Sequence, residues 1–296
     1  MSIPQTDFIS IIKRAYPSAI EEDIKIFDDG WDYVVCVVNE IQAFRFPRRD
    51  DYSKTLPREV AFLDMFSDLS PVQVPKLTLH KTPNGKPYVT YSFIPGVQFK
   101  RALAQSYSPQ ELHNIAQQIG NFLSVLHSFP TTAAKTMGFE ELDSIKSWSD
   151  RLNKIEKIVY PHIPLSEQTW VTELFTDFIE MITQNSISNK LTHADIMPEH
   201  IIVDPTTHKL SGIIDFGDME IADSAYDFTF LRKYGQNFLD IAYDSYKLDR
   251  DETFEKRRQF YEDRLVVTNL EHSIGLQDKQ KIELHKNQLT DYIIHR

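Results

Sequence analysis

Two short segments hold the residue types that could do chemistry. The first is Leu191-Thr192-His193-Ala194-Asp195-Ile196-Met197-Pro198-Glu199-His200; the second is Gly212-Ile213-Ile214-Asp215-Phe216-Gly217-Asp218. Asp195 stands five residues before His200 and twenty before Asp215. A loop carboxylate such as Asp195 can orient a hydroxyl and take its proton. A second carboxylate, with an imidazole beside it, can hold a divalent cation against phosphate oxygens. The apolar runs 200–204 and 210–215 read as a strand pair that would bring the two segments together. Phosphoryl transfer from a nucleotide asks for those parts, plus cations on the phosphates.

The rest of the chain has to position them. Residues 6–16 have helical periodicity, with Phe8, Ile11, Ile12 and Ala15 on one face. Residues 24–27, 33–38 and 41–46 are rich in β-branched and aromatic residues, and the last two flank Asn39-Glu40 as a hairpin. A helix over 57–67, led by Pro57, follows. The Asn84-Gly85 turn joins 76–81 to 88–93 in a second hairpin. Pro95-Gly96 is a breaker and the expected boundary between lobes 1–94 and 95–296. Beyond it, 109–128 is amphipathic, with Leu112, Ile115, Ala116, Ile119, Phe122, Leu123 and Leu126 on one side. Helical tracts follow near 144–160 and 166–184, and helices are expected from Tyr226 to the end. The predicted architecture is α+β and bilobal: a strand-rich lobe, a hinge, then a helix-rich lobe.

A protein-kinase catalytic loop places its base Asp five residues before a metal ligand and supplies a further metal Asp from Asp-Phe-Gly. Asp195, His200 and Asp215-Phe216-Gly217 follow that order. The sequence resembles the aminoglycoside phosphotransferase family, which shares the protein-kinase-like fold, and the likeness spans essentially the whole chain. Ala194 replaces the family's usual Gly, and His200 its usual Asn. His200 resembles the 2''-phosphotransferase branch and the macrolide phosphotransferases.

The resemblance implies Asp195 as catalytic carboxylate and Asp215 with His200 as magnesium ligands, with ATP or GTP as donor. Magnesium prefers oxygen, so His200 is the less comfortable ligand. In Phe44-Arg45-Phe46-Pro47 the alternation turns Arg45 away from the two Phe rings. Arg45 occupies the place of the kinase lysine, with Glu59 as its helix partner. The phosphate turn is expected at Asp28–Asp32, where Gly30 is the one glycine, and the base beside Ser92, Phe93 and Ile94. Asp227 resembles an Asp that braces the catalytic loop, and Asp223 suits a helix cap.

Asp218 and Glu220 are left as candidates to meet a cationic acceptor. Leu231-Arg232-Lys233-Tyr234-Gly235 places two bases where the 2''-branch carries acids. The expected activity is O-phosphorylation of a small-molecule hydroxyl, an aminoglycoside first. Macrolides, amino alcohols and sugars are alternatives, and so is an idle nucleotide-binding module. A protein kinase is disfavoured by the missing Gly-rich loop.

A net charge of -11 repels phosphate backbones, so nucleic acid is not an expected partner. The single Cys36 excludes an internal disulfide and lies in a strand-like apolar run. No run approaches the length of a membrane span, no secretion signal is apparent, and a cytoplasmic protein is expected.

Overall fold

The computed structural model describes residues 5–28, 32–141, 144–185 and 187–296. Helix α1 (Gln5–Ala15) leads into a five-stranded antiparallel sheet of β1 (Ile24–Phe27), β2 (Tyr33–Val38), β3 (Gln42–Pro47), β4 (Thr78–Lys81) and β5 (Pro87–Ser92), ordered β1-β2-β3-β5-β4. The β2–β3 turn is made by Asn39 and Glu40, with φ 52° and 56°. Two positive-φ residues between paired strands suit the right-handed twist.

Side-chain alternation splits the sheet into two faces. Val34, Cys36, Val38, Phe44 and Phe46 pack on Phe8 and Ile12 of α1. Burying each such ring contributes about 1.5–3 kcal/mol. Tyr33 and Val89 point the other way, into the core shared with the helical lobe.

Helix α2 (Asp50–Phe66) corrects the expected start at Pro57, which lies inside it. Proline removes one helical N–H and crowds the preceding turn. Two hydroxyls of the turn before it bond back to carbonyls, Ser53 Oγ to Arg49 O at 3.3 Å and Thr55 Oγ1 to Tyr52 O at 3.1 Å, but neither meets Ser53 O, the carbonyl that Pro57 leaves without its donor.

After Gly96, β6 (Val97–Gln98) pairs with β8 (Ile201–Val203), which pairs with β9 (Leu210–Ile213). A second small pair joins β7 (Lys190–Thr192) to β10 (Glu220–Ala222). Strands β6, β7 and β10 have two or three residues each, too few for a periodic signal.

The helical lobe contains α3 (Arg101–Ala104), α4 (Pro109–His127), α5 (Thr131–Thr136), α6 (Ile145–Ile158) and α7 (Leu165–Gln184). It ends with α8 (Gln236–Ser245), α9 (Phe254–Gly275) and α10 (Lys279–His295). The stretch Ser224–Tyr234, expected as ordinary helix from Tyr226, is a 3-10 segment. Asp223 caps it, accepting from Ala225 N at 3.1 Å.

Helix α4 starts at a capping box: Ser108 Oγ accepts from Glu111 N, and the Glu111 carboxylate accepts from Ser108 N. Its Gly120 is a close-approach residue. A Cβ there would lie 2.2 Å from Ala242 O on α8. Phe254, Phe260 and Tyr261 are core residues, 2–3% exposed.

Candidate active site

The loop that carries Asp195 leaves β7 at Thr192 and is held by one carboxylate. Asp227 Oδ2 accepts from His193 N at 2.8 Å and Oδ1 from Ala194 N at 2.8 Å. The same Oδ2 lies 2.9 Å from His127 Nε2, whose Nδ1 meets the Tyr246 hydroxyl at 2.8 Å. Asp227 is 2% exposed and His127 1% exposed, so each bond acts with little water to compete. Ala194 has φ 64°, the left-handed region where glycine is favoured. The replacement of the family's glycine is therefore a strained one.

His193 is fully buried, and burial holds its imidazole below its ordinary pKa. Its Nδ1 accepts from Asp195 N at 3.3 Å.

His200 joins the two chemical segments. Its Nδ1 lies 2.8 Å from Asp195 O and 3.1 Å from Asp195 Oδ2, and its Nε2 lies 3.6 Å from Asp215 Oδ2. Burial opposes an imidazolium there, but the Asp195 hydrogen bond and the charges of Asp215 and Asp195 outweigh it. His200 is raised to about 9. Ile214 N donates to His200 O at 3.0 Å, which locks β9's end to the loop. Asp215 follows with φ 68° and a half-exposed carboxylate.

Arg45 enters from the sheet lobe. Its Nη2 is 2.5 Å from Glu59 Oε2 on α2, and its Nη1 is 3.4 Å from Asp215 Oδ1. The guanidinium carbon sits 4.2 Å from the centroid of the Tyr33 ring. Burial weakens the charged form of Arg45, but the Glu59 carboxylate more than offsets it, so the guanidinium is held charged. Arg45 Nε and the Tyr33 hydroxyl are buried with no hydrogen-bond partner. Buried donors left unmet are costly unless a further group meets them.

Magnesium fits this donor set. It keeps waters and takes one or two protein ligands alongside phosphates. Asp215 Oδ2 and His200 Nε2 are near enough to share an ion. Among the described residues no group of three or more His, Cys, Asp or Glu forms a self-sufficient cage. A protonated His200 has no lone pair to give, so Asp215 is the ligand that needs no proton loss.

Asp218 and Glu220 line a cleft of about 250 Å³ with Tyr52, Thr55, Arg58 and Glu140. The cleft's crowding, then the charges of Asp215, Asp195 and Asp32, push the Asp218 carboxyl up, although the residue keeps an exposed edge. Tyr52 donates to it at 3.4 Å. Arg232 and Lys233 are both exposed. Ser92 ends β5, Phe93 and Ile94 follow it, and Phe93 N donates to Ile41 O at 2.7 Å, which occupies that amide. Gly30 lies outside the described residues.

Sequence reasoning missed Tyr33, Tyr52, His127 and Tyr246. Tyr33 had a signal, since in the β2–β3 hairpin it falls on the same sheet face as Arg45. His127 and Tyr246 had none, being separated by 119 residues.

A five-stranded lobe over a helical lobe, with two carboxylates, an imidazole and a buried Arg–Glu pair between them, defines the kinase-like phosphotransferases. Comparison with known proteins narrows this. The model of the phosphotransferase enzyme family APH matches residues 23–261, and the chain belongs to that family. Its fold is similar to APH(2'')-IIIa solved with GDP and kanamycin, at TM-score 0.88 and 20% identity, covering 98% of this chain and 99% of that one. The GDP complex of wild-type aminoglycoside 2'-phosphotransferase-IIIa matches at TM-score 0.86 and 21% identity, covering 98% of each chain. The macrolide 2'-phosphotransferase MphH from Brachybacterium faecium matches at 0.73 and 15%, covering 97% of this chain and 98% of that one. No described helix is long and apolar enough to cross a membrane.

Proposed function

We propose that this protein transfers the γ-phosphoryl group of ATP or GTP to a hydroxyl of a small molecule, with an antibiotic of the aminoglycoside type as the leading acceptor. The single observation that carries the reading is His200, in contact with both Asp195 and Asp215 while Arg45 reaches Asp215 from the other lobe. The similar structures with GDP and kanamycin support the donor and acceptor classes.

In this mechanism Asp195 orients the acceptor hydroxyl and takes its proton. Arg45, held by Glu59, neutralises charge on the nucleotide phosphates. Asp215, with His200 in its deprotonated form, would hold magnesium, which when bound draws charge from the phosphate oxygens. Tyr33 keeps the Arg45 guanidinium flat against the cleft wall. Asp218 and Glu220 meet amino groups of the acceptor. Residues 1–94 act as the nucleotide lobe and 95–296 as the acceptor lobe.

The test is nucleoside diphosphate release from ATP and from GTP with kanamycin, gentamicin, erythromycin or no acceptor. Release that depends on kanamycin or gentamicin is expected. Release only with erythromycin moves the acceptor to the macrolides. Nucleotide binding with no release under any acceptor would refute the proposed transfer and favour an idle nucleotide-binding module.

A further inference from the structure

Helix α9 carries three arginines, and one of them has no carboxylate. Arg257 pairs with Asp223 and Asp251, and Arg258 with Glu255 and Glu262. Arg264 makes no ion pair among the described residues, and its buried Nε has no hydrogen-bond partner. Its guanidinium carbon lies instead 5.3 Å from the centroid of the Trp148 ring, 5.0 Å from that of Tyr226 and 5.4 Å from that of Tyr261. Ring faces attract a cation but do not cancel its charge. The residue is half-buried, so the charge acts on whatever lies beside the rings.

The strand pair β7–β10 shows where this wall stands. Glu220 is opposite Thr192 at the end that leads to Asp195, and Ala222 is opposite Lys190 at the other end. At the first end Asp218, Glu220 and Glu140 line the acidic cleft already described. At the second end lies Asn189, the residue before β7. It lines a cleft of about 290 Å³ with Trp148, Phe178, Ile182, Ile187 and Tyr261. No carboxylate among the described residues lines that cleft. Three strand residues span about 10 Å, within reach of one multi-ring molecule.

Tyr226 stands between the two ends. Its ring packs 5.1 Å from the Tyr261 ring and against the Arg264 guanidinium. Its hydroxyl lies in the fields of Arg264, Asp195 and Glu220 together. One end of the acceptor lobe therefore offers carboxylates, and the other offers apolar surface beside a cation.

We propose that Arg264 is a specificity-determining residue of the acceptor side. It closes the Trp148–Tyr261 end to ammonium groups. That end takes an uncharged, apolar face of the acceptor, and the amino groups are confined to Asp218 and Glu220. The inference rests on the reading of a small-molecule acceptor with amino groups, and narrows it to acceptors that carry them at one end. Like charges about 7 Å apart in an effective dielectric of about 40 change an affinity about sevenfold. Salt screens part of that effect.

The test is titration calorimetry of the full chain with GDP and magnesium present. The two titrants are kanamycin, with amino groups on all its rings, and erythromycin, with a single amino group. Arg264→Gln and Arg264→Met, two neutral side chains, should each bind kanamycin at least about fivefold tighter than wild type. Using both keeps one misfolded variant, detected by its urea midpoint, from deciding the outcome. Arg264→Lys keeps the charge and should match wild type. The gain should shrink between about 20 and 300 mM sodium chloride. Erythromycin should show no gain above about twofold, since it has no second amino group to repel. Neutral variants that bind kanamycin no tighter than wild type, or an equal gain for both titrants, would overturn the proposal. So would absence of kanamycin binding in wild type and neutral variants alike. The transfer reading is judged separately, by diphosphate release from wild type: release with kanamycin beside unchanged affinity in the neutral variants removes the role of Arg264 alone.

Discussion

Asp227→Asn removes one oxygen atom's worth of acceptor capacity from the buried brace of the catalytic loop. The carboxylate receives three bonds, from His193 N, Ala194 N and His127 Nε2, at 2.8, 2.8 and 2.9 Å. Asparagine has one acceptor oxygen and an NH2 that only donates. With that oxygen in the Oδ2 position, His193 and His127 keep a partner, and the NH2 confronts Ala194 N–H. One buried amide left unmet costs about 1–3 kcal/mol. The two surviving bonds fall from charge-assisted to neutral, losing about 1 kcal/mol each. The expected loss of stability is about 3–5 kcal/mol, read as a lower urea midpoint with an unchanged slope. The loop carrying Asp195 also loses its register, and a displacement near 1 Å costs about a hundredfold in rate. Nucleotide affinity should change little, because Arg45 and Asp215 are held by other elements. A loss below about 1 kcal/mol together with unchanged turnover would refute this account of the brace.

Asp195→Asn should lower turnover by about 10²–10⁴-fold while nucleotide binding, measured by calorimetry, stays intact. Glu59→Gln should destabilise the fold by about 3–5 kcal/mol by leaving the Arg45 charge buried without its 2.5 Å partner, checked by thermal or urea unfolding. Ala194→Gly relieves a left-handed residue at about 1–2 kcal/mol, offset partly by the freer unfolded chain. Its melting temperature should rise. For pH, Glu111 is held low, to about 2, by the Ser108 hydroxyl and amide and by His208, against an ordinary 4.5. A lowered carboxylate stabilises above its unfolded pKa and loses that contribution as pH falls through its folded one. The melting difference between wild type and Glu111→Gln should therefore hold at pH 7 and shrink between about 4.5 and 2, and a difference flat across that window would contradict the capping box.

The grouping of the candidate site was legible because it is local. Asp195, His200 and Asp215 fall within 21 residues, and the short strands between them read as a hairpin. Arg45 was legible from strand period alone, since Phe44 and Phe46 had to face α1. What escaped depends on distance or brevity. Strands β7 and β10 are three residues each and acquire their identity by pairing with one another across 28 positions. The start of α2 was misplaced because Pro57 is a good first-turn residue. Here the helix begins two turns earlier, at Asp50, and Pro57 sits inside it. The Tyr246–His127–Asp227 chain is built from α4, the 3-10 segment and the end of α8, and no sequence window contains it.

Two non-glycine residues with positive φ frame the reaction centre, Ala194 at 64° and Asp215 at 68°. Each costs on the order of 1–2 kcal/mol. Neither is left to fluctuate. Asp227 grips the Ala194 amide, and the Asp215 carboxylate lies between Arg45 and His200. The sharp turns do the same thing on both segments. Each ends a short strand abruptly, so that the next side chain turns into the cleft instead of continuing across the sheet. Asp195 follows the Ala194 turn, and Asp215 is itself the turn. Relaxing either backbone to an extended conformation would redirect its carboxylate. The strain is therefore tied to the placement of the two acids, and the buried ion pair and brace offset it from outside the loop.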